Sequence, residues 1–384
     1  MNDVAELKSY GLAHARAQNI TEAAYREVCG RIDSDDRDAP GSWTGEWSRA
    51  AARLEAEGRL LEACGYYNLA RFPAVDGPAR AEALRACVRV CADWAAGNGV
   101  VRLELPVLGE TVPCWASGLD STAKRPLLLV MGGIISIKEQ WMPLLGRAAR
   151  LGMAVLVAEL PGVGENPLTY GADSWRMIPR LLDAVADSAD VQQTYGLTLS
   201  FSGHAALRSA VHDPRIRGVI TIAAPVSAFF TDPDWRRGLP ALTVDTLARL
   251  TRTDPERITG DLSPWALTDE ELAALDIPIH YLATHEDAII PGADVARLRS
   301  RTRRTEVLEY RDAHAGPGNA TETRVWIFRS LLRMRGVRGP LPVLLSTAAA
   351  LLRLRRLVLG LRTRRTRAAV PGAPSTPSAE RTIP

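Results

Sequence analysis

A chain of 384 residues, 46% apolar and 24% charged, has enough material for a large core domain plus an accessory one. Its formal net charge of +3 carries no global signature of nucleic-acid binding, and no nucleic-acid partner is expected; the basic excess is local, from about Arg297 onward. The opening MNDVAELKSYGL lacks a basic stretch followed by an apolar one, and no apolar run approaches the roughly 20 residues of a membrane span, so a secretory signal and a transmembrane helix are not expected and the location is read as cytoplasmic.

Residues 1 to 98 predict a helical domain. Apolar and small residues recur at spacings of three and four in AAYREVCGRI, WSRAAARLEAEGRLLEACGYYNLARF and RAEALRACVRVCADWAA, with SDDRDAPGS and the Pro73–Pro78 segment as breaks. The five cysteines are Cys29, Cys64, Cys87, Cys91 and Cys114. Cys87 and Cys91 share a helical face, but no His or Cys lies near them at a metal-ligand spacing. Buried free thiols are therefore expected, with no metal and no cofactor.

At about Val100 the pattern changes. VVRLELPVL and TVPCWAS alternate around Gly109-Glu110 as a strand–turn–strand. RPLLLVMGG, LGMAVLVAELPGVG, YGLTLSFSG, RGVITIAAP, IPIHYLATHED and RTEVLEYRDAH are six further strands, with helix-like stretches between most of them. Continuously apolar strands alternating with helices predict an α/β domain over 99–336: a mostly parallel sheet with helices on both faces, and function at the strands' C-terminal ends. The stretch from about 229 to 271 breaks the alternation and predicts a helical lid insertion. Residues 337–367 mix Leu with Arg as a basic amphipathic helical extension, and 368–384, rich in Pro, Ser and Thr, predict a disordered tail. The extension is expected to pack on the domain or on a second subunit of a homodimer; a weak contact with an anionic membrane surface is the alternative.

The chemistry gathers at strand ends. LTLSFSGHAALRSA runs from strand into helix, the setting of a nucleophile elbow, where the residues two before and two after the nucleophile must be small. Ser200 meets that rule with Thr198 and Ser202. Ser202 as nucleophile would place His204 in the crowded position. The base should lie downstream, after the acid. His314, in the Gly/Pro loop after the last strand, fits better than His204, His212, His280 or His285. IPIHYLATHEDAIIP offers Glu286 and Asp287, with Asp287 favoured and Asp312 a further alternative. MGGIISIKEQW supplies Gly133 and Ile134, whose N–H groups, with that of Phe201, are candidates for an oxyanion hole.

The runs GGIISIKEQW, ELPGVGENP, LSFSGHAALRSAVHDPRIRGVITIAAPV and THEDAIIP together resemble the α/β-hydrolase-fold serine hydrolases that include the fermentation–respiration switch esterase, the fungal polyketide chain-shortening hydrolases and the pseudooxynicotine C–C hydrolase. The resemblance covers about Val100 to Met334. The helical front, with Trp43, Trp47 and GYYNLARFP, is similar to that family's N-terminal domain. It implies Ser200 as nucleophile, Asp287 as acid, His314 as base, and Glu139 as an acid near the substrate. Glu159 stands where an aspartate is usual, and Thr198 and Ser202 replace glycines of the elbow.

The function expected is hydrolysis of an ester or an activated C–C bond, as in a β-dicarbonyl, in a mid-sized substrate, in particular a polyketide or other secondary metabolite. Two alternatives remain open at this point. One is elimination of acetate on the same fold, as in enzymes of tetronate polyketide pathways that resemble the family. In that reading Thr198 and Ser202 supply hydroxyls for the leaving carboxylate. The other is a degenerate, non-catalytic binding protein.

Overall fold

Each of the first three helices starts on a side chain that accepts a backbone N–H: Asp3 for α1 (Val4–Ala17), Thr21 for α2 (Glu22–Cys29) and Ser42 for α3 (Trp43–Ala56). Next come α4 (Leu60–Ala70) and α5 (Pro78–Ala95), the latter opened by a proline whose missing N–H would have had no helical partner. The computed structural model describes residues 2–36, 39–352 and 354. The apolar faces of these helices meet in one core around Leu7, Val28, Trp43, Trp47, Leu69 and Phe72. The Trp43 indole N–H donates to Leu69 O at 2.6 Å, so burial leaves no polar atom of that ring unpaired. Gly11 has no room for a side chain, because a Cβ there would lie 2.6 Å from both Trp43 and the Tyr25 hydroxyl.

Eight strands follow where the apolar runs predict them: β1 (Val100–Val107), β2 (Glu110–Ser117), β3 (Pro126–Met131), β4 (Ala154–Ala158), β5 (Asp190–Leu199), β6 (Ile216–Ile222), β7 (Ile279–Thr284) and β8 (Thr305–Tyr310). They form one sheet in the order β1-β2-β4-β3-β5-β6-β7-β8. β1 and β2 are antiparallel and the remainder run parallel from β4 to β8, the arrangement of the α/β-hydrolase fold. Every residue of β4 is buried, as a sheet covered on both faces requires. Val107 pairs with Glu110, so the hairpin turn falls on Leu108 and Gly109, one residue earlier than expected. Both have positive φ, 54° and 87°, which matches the twist of a two-residue hairpin.

The interruption between β6 and β7 is helical, with segments at Ala228–Thr231, Pro233–Arg237, Ala241–Thr251, Pro255–Thr259 and Asp269–Ala274. Buried Asp294 anchors its start by accepting from the N–H groups of Ser227 and Ala228, each at 2.6 Å. The insertion also meets the helical front: Leu242 joins the core of α1–α4, and its N–H donates to Glu6 at 3.2 Å.

Contacts group the chain into two compact units. Met1–Ala320 form one compact unit, and a second begins at Thr321. The front helices are thus packed into the same unit as the sheet. The second unit holds the helix Ala320–Met334 from its second residue onward, and residues 340–352 are also helical. The rest of the expected extension, apart from residue 354, and the tail at 368–384 lie outside the described residues. Among the described residues no helix is long and apolar enough to cross a membrane.

Candidate active site

β5 ends at Leu199 and a helix starts at Phe201, so Ser200 carries the whole reversal between them. It does so at φ 55°, ψ −125°, a backbone that a side-chain-bearing residue adopts only at a cost of order 1–3 kcal/mol. Its N–H donates to Ile222 O at 2.7 Å, and its carbonyl accepts from Gly203 N at 2.8 Å. The first turn of the helix lies hard against β6: a Cβ on Gly203 would overlap Thr221 Oγ1 and stand 2.6 Å from Ala224 Cβ. The close approach that elbow glycines usually permit is met here one position later. Gly203→Ala should therefore lower the urea midpoint, at an overpacking cost of about 1–3 kcal/mol. An unchanged midpoint would show that the two elements separate freely.

The flanking hydroxyls are already engaged. Ser202 Oγ accepts from Leu199 N at 2.9 Å and directs its proton to Met131 O or Leu199 O, each at 2.9 Å. Thr198 Oγ1 donates to Ile220 O at 3.4 Å, and both side chains are fully buried. The expectation that these hydroxyls serve a leaving carboxylate is therefore corrected: they replace absent glycines by bonding backbone.

The loop after β3 passes directly against Ser200. A Cβ on Gly133 would lie 3.2 Å from Ser200 Cβ and 3.9 Å from its Oγ. The N–H groups of Gly133, Ile134 and Phe201 have no hydrogen-bond partner among the described residues. Buried Arg71 holds the loop from the front domain by donating to Ile135 O.

Asp287 and His314 come together from the loops after β7 and β8, with both carboxylate oxygens 2.9 Å from His314 Nδ1. Asp287 Oδ1 also accepts from Ile289 N and Ile290 N at 2.9 Å, and Oδ2 from Thr284 Oγ1 at 2.9 Å. Burial raises the pKa of this carboxyl, but the His314 charge and the hydrogen bonds outweigh it and leave the value below that of a free aspartate. An ionised carboxylate only accepts, so the neutral imidazole carries its proton on Nδ1 and leaves Nε2 free as a base. No hydrogen bond joins Ser200 Oγ to His314 among the described residues.

The rival residues are placed elsewhere. Asp312 Oδ2 accepts from Gly318 N and Asn319 Nδ2, both at 2.8 Å, shaping the loop that presents His314. Glu286 is exposed and 3.5 Å from Arg311. His204 is buried with Nε2 2.8 Å from Trp265 O, and burial pushes its pKa down to about 3.

Glu139, the acid expected near a substrate, is enclosed by protein groups. Its side chain is 0% exposed, so no water-sized space touches it. Oε1 accepts from Trp115 Nε1 at 2.9 Å and lies 3.0 Å from Lys138 Nζ, while Oε2 has no partner. The cause is a buried ion cluster in which Lys138 Nζ also reaches Glu159 at 3.4 Å and Glu165 at 2.6 Å. Glu159 in place of the shorter aspartate accepts from the N–H groups of Lys138 and Glu165, each at 3.1 Å, so it closes the PGVGEN loop.

Sequence reasoning missed two features of the surroundings. Phe229 and Phe230 of the insertion meet Phe201 edge-on, at ring separations of 5.1 and 6.5 Å, so an aromatic wall stands beside the residue after the nucleophile. α1 packs against Pro317–Asn319 in the loop that follows His314, and Tyr10 on that helix has its pKa raised by burial and then by the charges of Glu6 and Asp287. Phe229 and Phe230 pack on Phe201 from 28 and 29 residues away, and Tyr10 lies far along the chain from Asp287, so no local motif announces either feature.

A family model described as esterase FrsA-like matches residues 40–308. Esterase FrsA of Vibrio cholerae serotype O1 is 26% identical over 284 residues, covering 66% of this chain and 67% of that protein. Among solved structures, AbyA5 is 49% identical with a TM-score of 0.87, covering 91% of this chain and 100% of that one. The 2,6-dihydroxy-pseudo-oxynicotine hydrolase shares the fold at 19% identity and a TM-score of 0.66, covering 84% of this chain and 96% of that one.

Proposed function

The chain belongs to the FrsA-like esterase family and is an α/β-hydrolase enzyme, and from that premise we propose that it cleaves an ester or an activated C–C bond of a mid-sized polyketide-like substrate by acyl transfer to Ser200. The observation that carries this reading is the backbone of Ser200, held at φ 55° between β5 and its helix. Strain of this kind persists only where the surroundings enforce it, and here it presents one hydroxyl at the C-terminal edge of a parallel sheet. In the proposed cycle His314 Nε2 takes the Ser200 proton as Oγ attacks the substrate carbonyl. Asp287 steadies the imidazolium. The N–H groups of Phe201 and of Gly133 or Ile134 receive the negative charge. The tetrahedral species collapses as the imidazolium gives its proton to the departing alkoxide or carbanion, and a water deprotonated by His314 then cleaves the acyl–Ser200 bond to release the acid. Phe229 and Phe230 are themselves buried, and they brace Phe201, the residue whose N–H adjoins the nucleophile.

A second reading, elimination, is favoured by a different observation: the Asp287–His314 pair is complete without Ser200. Such a pair is competent to remove a proton from carbon while a carboxylate leaves. Turnover of an ester substrate in ¹⁸O-labelled water separates the two. Acyl transfer puts the label into the released acid. An unlabelled acid together with a new C=C bond in the co-product would replace hydrolysis by elimination and leave the fold assignment intact.

A further inference from the structure

Three cysteines that sequence spacing left apart meet between two helices of the front domain. Cys87 and Cys91 lie one turn apart on one face of α5, and Cys64 faces them from α4. Cys91 Sγ is 2.9 Å and Cys87 Sγ 3.6 Å from Cys64 Sγ, and all three sulfurs lie within 4.8 Å of one another. All three residues are buried. The expectation of thiols with no partner for Cys87 and Cys91 considered only neighbours in sequence; the partner arrives from the adjacent helix.

We propose that Cys64, Cys87 and Cys91 form a structural site for a single soft, thiophilic cation, Zn²⁺ or Cu⁺. Thiolates select such ions, and metal–sulfur bonds of about 2.3 Å place three sulfurs about 4 Å apart. The present separations reach that value by opening the Cys64–Cys91 pair by about an ångström, within the reach of side-chain rotation on two fixed helices. Binding displaces the thiol protons: three thiols and one divalent ion give a tris-thiolate of charge −1.

That charge has a counterpart already in place. Arg71 is 2% exposed, and its hydrogen bonds go to Asn68 Oδ1 and to the carbonyls of Pro73 and Ile135, with no carboxylate partner among the described residues. Arg71 ends α4, seven residues or two turns beyond Cys64, and so lies along the same face of that helix. A buried cation without an ion-pair partner is costly, and an anionic metal–thiolate group beside it offsets that cost.

The site adjoins the reaction centre through the backbone. Cys64 Sγ lies 3.8 Å from Glu139 O, on the segment that continues from Gly133 and Ile134. An ion there would clamp α4 and α5 under the loop that lines Ser200. It would act on stability rather than on the chemical step, independently of which reaction Ser200 and His314 perform.

The test uses the full chain, expressed in zinc- and in copper-supplemented media, with metal content read by elemental analysis and native mass spectrometry. Reduced protein is then titrated with Cd²⁺, followed by its thiolate-to-metal charge-transfer absorption. One ion per chain is expected in one of the two media, which identifies the cation. One equivalent of Cd²⁺ should bind wild type and Cys29→Ser alike. Cys64→Ser should bind more than about a hundredfold more weakly, beyond the loss caused by altering a group outside the ligand shell. Absence of charge-transfer absorption in the wild type overturns the proposal whether or not any variant folds. Equal binding by Cys64→Ser also overturns it, as does a mass two hydrogens lighter, which would mark a Cys64–Cys91 disulfide instead. Should Cys64→Ser fail to fold, Cys91→Ala is read in the same way.

Discussion

Ser200→Ala should abolish labelling by a fluorophosphonate and lower kcat/KM on an ester substrate by about 10⁶-fold, the scale of losing the nucleophile from a serine hydrolase. Folding should survive, because the change removes one oxygen and keeps the Cβ that packs 3.2 Å from where a Gly133 side chain would start. The hydrogen bonds that shape the turn, Ser200 N to Ile222 O and Gly203 N to Ser200 O, belong to the backbone and remain. Retention of most of the activity in Ser200→Ala would remove acyl transfer and leave the Asp287–His314 base as the centre of the reaction.

Asp287→Asn should cost on the order of 10⁴-fold in kcat. Asp287 Oδ1 accepts from two backbone N–H groups, so an asparagine is expected to keep its amide oxygen there and turn its NH₂ toward Thr284 and His314. An amide donor facing Nδ1 forces the imidazole proton onto Nε2, and the base then has no lone pair for its substrate. The same carboxylate links stability to pH. Its folded pKa lies below the ordinary aspartate value, so its contribution is present above about pH 4 and is lost as pH falls through the depressed value. Stability that fails to fall on acidification in wild type relative to Asp287→Asn would contradict that coupling. A catalytic loss below tenfold would show that His314 acts without an orienting carboxylate, since Asp312 and Glu286 are engaged elsewhere.

Much of the fold was legible in the sequence for a local reason. A strand buried on both faces must be apolar throughout, so Leu127–Met131 and Ala154–Ala158 declare themselves without a partner in view. Candidate residues were legible where chemistry and strand ends coincide, as at Ser200 after β5, Asp287 after β7 and His314 after β8. The turn at Leu108-Gly109 was displaced by one residue because leucine rarely takes φ 54°, and only the register of β1 with β2 fixes it there.

What the sequence by itself determined is the order of elements and the residue types available at each strand end, since periodicity and turn chemistry act over a few neighbours. Only the tertiary structure decided where side-chain polar atoms point. Ser202 is small enough for an elbow, yet its hydroxyl is taken by Met131 and Leu199. Glu139 carries the right charge for a substrate contact, yet Lys138 and Trp115 enclose it. Cys64 is an ordinary helical thiol until α5 brings Cys87 and Cys91 beside it. Each of these outcomes depends on groups from separate segments competing for the same hydrogen bond or the same buried charge, and that competition exists only once the chain has folded.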